Sequence, residues 1–427
     1  MISVSMLLVF LVLALLRVPV CVSMGFGAIF GLTLMEIPLD SMIRSTQDAL
    51  RSIPFMAVPF FILAASLMNQ MGLTRRIFAF ASHLVGAIPG GLAQVNILSS
   101  VIFAGISGAA LADIVGLGSV QIKAMTERGY RLEFSAAITV VSSTIGPIIP
   151  PSIMFIIYAV NMNVSIGRLF VAGFLPGFMI AFVLMVTVYF MAKTGIEKCP
   201  PLKRSGIREI GRSFLQGGPA IVTPIIIITG MVSGVATPTE ASVLAVLYSI
   251  FLGVVYREIT MVKLRRAFES TIRTTALIMY LAGIGSVMAF VLTSEQAADW
   301  LAVFLMTIST EPWVLFLLIN IALLLLGCVL ETVPAMLIAM PLFGPIVFDL
   351  GMDPLQFGVM LTFNLLIGMI TPPIGIGLYA ICAITGLRLE AVIKATVVFL
   401  PTLLIALLLM TYVAPLSLWL PNVLFAD

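Results

Sequence analysis

Length, composition and charge exclude an ordinary soluble protein. The chain has 427 residues, of which 61% are hydrophobic and 10% are charged, whereas roughly 25% of residues are charged in an average soluble domain. Polar stretches reach only about twenty residues, which leaves no length for a soluble catalytic or ligand-binding domain. We therefore expect an all-α polytopic membrane protein whose chemistry takes place inside its membrane part.

Charged residues and cysteines exclude further classes. The net charge of +3 is small, and bases gathered in short connections are typical of membrane topology signals, so no nucleic-acid partner is expected. The four cysteines, Cys21, Cys199, Cys328 and Cys382, lack CxxC spacing, so neither a disulfide framework nor a zinc site follows. The first segment, 2–16, lacks a basic start and a small-residue cleavage site and is interpreted as a retained helix.

Apolar runs follow one another along the whole chain. They cover residues 2–16, 18–35, 53–68, 92–103, 136–160, 169–192, 221–235, 241–255, 274–292, 313–330, 357–384 and 392–420. At roughly 20 residues per membrane-crossing helix, some runs are too long for one helix and others too short. Pro and Gly interrupt several of them, and a membrane tolerates such breaks only where the freed backbone groups are buried in protein or line a wet cavity.

Two basic stretches, 193–212 and 257–273, indicate the orientation. Each carries more Lys and Arg than Asp and Glu, which predicts two cytoplasmic loops. Two apolar runs separate them, the even number that a shared side requires. In contrast, stretch 35–51 has two arginines against two aspartates and one glutamate and is expected on the opposite side.

The chain resembles two copies of one unit. An offset of 222 residues lays Gly105 on Gly327, Gly146 on Gly368, and Pro150-Pro151 on Pro372-Pro373. Together with the charge pattern, these interruptions predict inverted repeats over residues 1–213 and 214–427, in which discontinuous helices of both halves meet near the midplane.

Each half pairs a Gly-rich or acidic stretch with an apolar helix broken at Pro-Pro. We predict re-entrant hairpins around 90–130 and 313–350, and broken helices around 136–160 and 357–384. Pro removes a backbone donor and Gly exposes the backbone, so carbonyl oxygens are left free for a hard cation such as sodium. The alternative for GISGA and GLG is close helix packing through small residues.

Three carboxylates stand out in apolar surroundings, where an unpaired one costs several kcal/mol. Asp113 and Glu331 lie in the predicted hairpins and are candidates for function, whereas Glu240 follows Thr237 and is expected to cap a helix. The GISG sequence also matches the motif of intramembrane serine proteases. Those enzymes need a later histidine as base, but the only histidine, His83, precedes Ser107; no enzymatic activity and no catalytic residue is expected.

Several motifs in order resemble one family. FAGISGAALADIVGLG, IGPIIPPSIMFIIY, LFVAGFLPG, GVATPTEAS and GMDPLQFGVMLTFNLLIGMITPPIGIGLY are similar to the DctM-like large membrane subunit of TRAP (tripartite ATP-independent periplasmic) transporters. The resemblance implies sodium-driven uptake of organic anions such as C4-dicarboxylates or sialic acids, by an elevator movement, in the bacterial inner membrane. It also implies two partners, a small four-helix membrane subunit and a periplasmic substrate-binding protein. Ala109 and Glu331 depart from the family pattern, which puts the ligands at those positions in question.

We predict two sodium sites related by the repeat, with the solute between them. Neutral oxygens can hold a hard, singly charged ion without a buried anion. The predicted sodium ligands are Ser107, Gly108, Ser143, Gly146 and Pro147 in the first half and Glu331, Thr332, Asn364, Gly368 and Thr371 in the second. The predicted substrate contacts are Ser107, Asp113, Pro150, Pro151, Pro372 and Pro373. A channel is the alternative, because Pro-broken hairpins also suit selectivity filters.

Overall fold

Helices account for the regular structure of the first half. The computed structural model describes residues 2–16 and 18–425. The helices up to the first basic stretch are α1 Ile2–Leu15, α2 Val20–Leu34, α3 Asp40–Arg51, α4 Ala57–Gln70, α5 Leu73–Val85, α6 Leu92–Ser107, α7 Ala110–Gly116, α8 Gly118–Thr126, α9 Leu132–Ser142, α10 Ile153–Met162 and α11 Ile166–Thr194. Short 3₁₀ turns, Ile53–Met56 and Ser143–Ile145, precede α4 and follow α9.

The second half is helical as well. Its helices are α12 Ile207–Gly217, α13 Pro219–Val232, α14 Pro238–Val255, α15 Met261–Ser294, α16 Ala297–Ile308, α17 Pro312–Val329, α18 Thr332–Asp349, α19 Pro354–Met369, α20 Ile376–Thr385, α21 Leu389–Val397, α22 Leu400–Tyr412 and α23 Pro415–Leu424. Six helices of the described part are long and apolar enough to cross a membrane, or up to nine spans result if each bent helix pair counts as one. The prediction of an all-α polytopic membrane protein is confirmed.

The two basic stretches are partly helical, and their prediction as loops was wrong in this respect. Arg208 and Arg212 lie on α12, and most bases of the second stretch lie on the first turns of α15. The Thr260 side chain accepts a hydrogen bond from the Lys263 amide over 3.3 Å. Because this cap starts α15, the helix begins within the basic stretch 257–273.

Helix α3 packs against the far part of α15. The Thr46 hydroxyl donates to the Gly283 carbonyl over 3.3 Å, and Ser286 donates to the Ser45 carbonyl over 3.1 Å. Gly283 follows Arg265 by 18 residues, about 27 Å along a helix. Stretch 35–51 therefore lies about one hydrocarbon thickness from the basic end of α15, the separation that the predicted topology requires.

The side chains of Thr237 and Glu240 form the helix cap that the sequence predicted. The Glu240 carboxylate accepts the Thr237 amide hydrogen over 2.7 Å, and the Thr237 hydroxyl accepts the Glu240 amide hydrogen over 3.3 Å. This reciprocal capping box starts α14, so the capping role of Glu240 is confirmed.

Candidate functional site

The first predicted hairpin has a sharp tip between α6 and α7. Gly108 ends α6 with φ +63°, and Ala109 returns to an extended conformation before α7 begins. A Cβ at Gly108 would overlap the carbonyl oxygen of Pro151. Glycine is therefore required here for two reasons, the left-handed backbone and the close approach, and the tip lies against the Pro150-Pro151 segment.

The chain between α9 and α10 is not α-helical. A 3₁₀ turn follows α9, and Ser152 then caps α10 by accepting the Phe155 amide hydrogen over 3.2 Å. Ser143, a predicted sodium ligand, is buried and donates its hydroxyl hydrogen to the Val140 carbonyl over 2.7 Å, which leaves oxygen lone pairs of Ser143 for another partner. The Pro150–Pro151 and Pro372–Pro373 peptide bonds are both cis.

Asp113 is the buried carboxylate of this site. It lies on α7, is 2% exposed, and packs so closely on Gly146 that a Cβ there would overlap Oδ2. Neither carboxylate oxygen makes a hydrogen bond of good geometry within residues 2–16 and 18–425, although the Ser107 side chain lies close enough to interact with the carboxylate. The structure thus brings Asp113 to one of the predicted sodium ligands, although the sequence analysis assigned it to the substrate.

The second predicted hairpin meets its own broken helix in the same way. Residues 330 and 331 connect α17 to α18. A Cβ on Gly368 would lie 2.6 Å from the Gly327 backbone, and the Gly375 amide donates to the Cys328 carbonyl over 3.1 Å. The end of α17 therefore packs directly on α19 and on the non-helical segment that follows it. Pro372 and Pro373 lie in that segment, less buried than Pro150 and Pro151.

The predicted ligands of the second half differ in their surroundings. Asn364 is fully buried and donates to Asn320 Oδ1 over 2.8 Å, while its own Oδ1 has no partner among the described residues. Thr371 is half-buried and donates to the Ile367 carbonyl over 2.7 Å. Glu331 is half-buried and precedes Thr332 without capping α18 through its side chain.

A buried polar network in the first half was missed by the sequence analysis. Asn96 donates to Thr139 Oγ1 and accepts from Ser142 Oγ, both over 2.8 Å, and Ser100 donates to Ser142 over 3.0 Å. This network joins α6 to α9, as the Asn320–Asn364 pair joins α17 to α19. The signal was present as an amide side chain within an apolar run, because such groups need partners in a membrane, but only ionisable groups were searched.

The two halves also pack against each other in a crossed manner. Helix α7, the second arm of the first hairpin, packs on α20, the second part of the other half's broken helix. Helix α18, the second arm of the second hairpin, packs on α10. A Cβ on Gly344 would lie 2.8 Å from the methyl carbon of Met162. The inverted-repeat boundary at 213 falls inside α12, and the repeat itself stays a prediction.

A cavity of about 140 Å³ adjoins the first tip. Its polar lining comes from Ser107 at the tip and from α4 and α15, namely Ser66, Asn69, Gln70, Ser270 and Thr274. At about 30 Å³ per water molecule this volume holds a few waters. Neither Glu331 nor Thr371 lines it, so this cavity does not reach the second tip.

The single histidine is remote from the first tip. His83 Nδ1 lies 2.7 Å from Ser205 Oγ, and both residues line another cavity that Ser107 does not line. The two parts of a serine protease site are therefore not assembled, in agreement with the prediction that the chain is not an enzyme of this kind.

Long apolar helices and bent helix pairs define an all-α polytopic membrane-protein fold. The family "Tripartite ATP-independent periplasmic transporter, DctM component" matches residues 7–416. The chain is 40% identical over 369 residues to the sialic acid TRAP transporter large permease protein SiaM of Vibrio cholerae and 36% identical over 368 residues to the C4-dicarboxylate TRAP transporter large permease protein DctM of Pseudomonas aeruginosa, with 86% of each chain covered. The chain belongs to the DctM family of TRAP large membrane subunits, so the predicted family membership is confirmed.

Relatives and solved structures agree with this assignment. The sialic acid TRAP transporter permease protein SiaT of Haemophilus influenzae is 37% identical and matches 98% of this chain and 68% of its own length. The Alcanivorax borkumensis YdaH transporter has a similar fold, with a TM-score of 0.62 and 14% identity over 91% of this chain and 88% of its own. Neisseria gonorrhoeae MtrF gives a TM-score of 0.57 and 14% identity over 90% and 84%. The relatives are named as transporter permeases, which are not enzymes.

Proposed function

We propose that this TRAP large membrane subunit takes up a small organic anion across the bacterial inner membrane by sodium-coupled secondary transport. The observation that carries the proposal is the packing of each hairpin end against a broken helix, at Gly108 with Pro151 and at Gly327 with Gly368. Gly108 and Pro151 lie in non-helical backbone, whereas Gly327 and Gly368 lie in the last turns of α17 and α19, just before the chain leaves each helix. Carbonyl oxygens freed at such helix ends and breaks are ligands that a hard cation prefers.

Buried oxygens without partners support cation binding in both halves. The two carboxylate oxygens of Asp113 lie beside Gly146. In the second half, Oδ1 of Asn364 on α19 is such an oxygen. An unpaired carboxylate inside a membrane is costly, and a bound sodium ion would neutralise it. We therefore move Asp113 from the substrate contacts to the first sodium site, with Ser107, Gly108, Ser143, Gly146 and Pro147, and keep the predicted set of the second half.

The proposed substrate is a carboxylate-bearing organic anion. Two relatives are named for sialic acid and C4-dicarboxylates, and a third, YiaN of Escherichia coli, for 2,3-diketo-L-gulonate. Neither hairpin tip contains an arginine, so a bidentate carboxylate clamp is absent there. The sodium charges and the amino ends of α7 and α18 would attract the anion instead. Pro150, Pro151, Pro372 and Pro373 remain proposed as neighbours of the solute.

Uptake into liposomes tests sodium coupling. Vesicles would contain this chain, a small membrane subunit and a loaded periplasmic binding protein, the two partners that we propose from the family. An inward sodium gradient should drive uptake above equilibrium, whereas a channel cannot concentrate solute. Ser107→Ala and Thr371→Ala should each raise the sodium concentration needed for half-maximal uptake, because each removes one oxygen ligand.

The matched control is Glu240→Gln, since Glu240 is exposed and caps α14. Unchanged sodium dependence in Ser107→Ala, Thr371→Ala and Asn364→Ala, together with its loss in Glu240→Gln, would move the ion site to the start of α14. Equal uptake with and without the gradient would favour the channel alternative.

A further inference from the structure

Helix α12 carries an apolar strip that is largely exposed. Ile207 is 89% exposed, Leu215 is 75% exposed and Phe214 is 50% exposed. These residues share one side of the helix at 100° per residue. Helix α12 meets the next helix, α13, at a bend of 54°, so α12 does not continue the direction of that apolar helix.

Packing against α5 fixes which way α12 faces. A Cβ on Gly217 would lie 2.8 Å from the Arg76 carbonyl oxygen and 3.0 Å from the Phe80 Cβ. The rings of Phe80 and Phe214 are 5.5 Å apart in an edge-to-face arrangement. Because one side of α12 is held on α5, the strip of Ile207 and Leu215 points away from the protein.

A basic strip borders the apolar one. Arg208 and Arg212 are exposed on α12, Arg204 is exposed just before it, and none of the three forms an ion pair within the described ranges 2–16 and 18–425. The nearby Glu209 carboxylate accepts the Gly206 amide hydrogen over 3.0 Å and thus serves as a helix cap. Among the described residues, no carboxylate is paired with this basic strip.

We propose that α12 lies in the plane of the cytoplasmic lipid–water interface and binds anionic phospholipid headgroups through Arg204, Arg208 and Arg212. An exposed apolar strip beside a basic strip is the pattern of helices that bury one side at the headgroup boundary. The excess of Lys and Arg in stretch 193–212 predicts that this stretch lies on the cytoplasmic side. There, clustered Lys and Arg attract anionic lipid.

The anchor is connected to the base of the first hairpin. In the segment before α12, the Leu202 amide donates to the Gly86 carbonyl over 2.8 Å. The Tyr130 hydroxyl lies 3.1 Å from the carbonyl oxygens of Gly90 and Pro200. Lipid bound at α12 would therefore hold the segment that contacts both ends of the 92–126 hairpin.

Quenching by brominated lipid measures the proposed contact. In full-length chain with Trp300, Trp313 and Trp419 replaced by Phe, Leu215→Trp places a reporter on the apolar strip. Vesicles would contain phosphatidylcholine and phosphatidylglycerol in equal amounts, with bromine on only one of the two. Brominated phosphatidylglycerol should quench the reporter more strongly than brominated phosphatidylcholine. Arg208→Gln together with Arg212→Gln should remove this preference. Each arginine should contribute about fivefold to the relative affinity for phosphatidylglycerol, which corresponds to about 1 kcal/mol.

The control removes two charges elsewhere on the same side. Arg265→Gln with Arg266→Gln should leave the preference at Leu215→Trp unchanged. Equal quenching by both brominated lipids in the reporter chain would overturn the proposal. So would absence of quenching by either lipid, since it would show that the strip does not contact lipid.

Discussion

The Asp113 carboxylate and Gly146 lie in direct contact, although they are 33 residues apart. Asp113 lies on α7, and Gly146 lies in the non-helical chain between α9 and α10. A side chain at Gly146 would occupy the position of Asp113 Oδ2. The contact joins the second arm of one hairpin to the break in the following helix. It also leaves an acidic, buried group beside backbone that is not engaged in a regular helix, which is the arrangement that we propose to bind sodium.

Replacing Gly146 by Ala should disrupt this contact. We expect overpacking to cost about 1–3 kcal/mol of stability and the displaced carboxylate to raise the sodium concentration needed for uptake. Uptake at a series of sodium concentrations and thermal unfolding in detergent would be measured together. Gly211→Ala is the control, because nothing lies within 4 Å of an added Cβ there; equal sodium dependence in both variants would contradict the proposed role of Asp113.

Asn96 is expected to stabilise the α6–α9 contact. Asn96→Ala removes the amide partner of both Thr139 and Ser142 in a buried site, which should cost about 1–3 kcal/mol. Asn422→Ala is a suitable comparison, since Asn422 is exposed and makes one 3.4 Å contact with Arg168. Similar unfolding temperatures for the two variants would show that the network does not stabilise the packing.

The sequence was sufficient for the membrane class, the family and the positions of the chain breaks, because Gly and Pro act locally. It was not sufficient for the partners of buried polar groups. The Asp113–Gly146 contact and the Asn320–Asn364 pair depend on how helices distant in sequence come together, and no local pattern predicts that register. The basic stretches were assigned to loops from their charge alone, and the Thr260 cap that starts α15 was not considered.

The topology can be tested by cysteine labelling in a chain whose native cysteines are replaced by Ser. Lys203, Arg265 and Asp48 are exposed. Cysteines at Lys203 and Arg265 should react with impermeant reagents only from the cytoplasmic side, and a cysteine at Asp48 only from the opposite side. If positions 48 and 265 reacted from the same side, the inverted arrangement would be refuted.

Glu258, in the connection between α14 and α15, links α15 to α5 in a pH-dependent manner. Hydrogen bonding and attraction by Lys263 lower the pKa of Glu258, and Arg76 lies 3.6 Å away. Because the folded-state pKa is lowered, the contribution to stability is present above the unfolded-state pKa and is lost as pH falls through the folded-state pKa. Glu258→Gln should therefore unfold at a lower temperature than the parent at neutral pH, and the two should converge in acid. Glu127→Gln, in an exposed pair with Lys123 at 4.0 Å, should show a smaller difference.

The last prediction concerns the proposed partners. The polar segments of this chain are too short to form a soluble solute-capturing domain, and its family is named for a tripartite system. We therefore expect the isolated subunit in liposomes to transport little. Adding the small membrane subunit alone should leave uptake low, and adding the ligand-loaded periplasmic protein as well should restore it. A periplasmic protein loaded with a non-transported ligand is the control, since it preserves docking without supplying solute. Saturable, full-rate uptake by the isolated chain would refute the requirement for partners while leaving the sodium sites to be tested by the Ser107 and Thr371 variants.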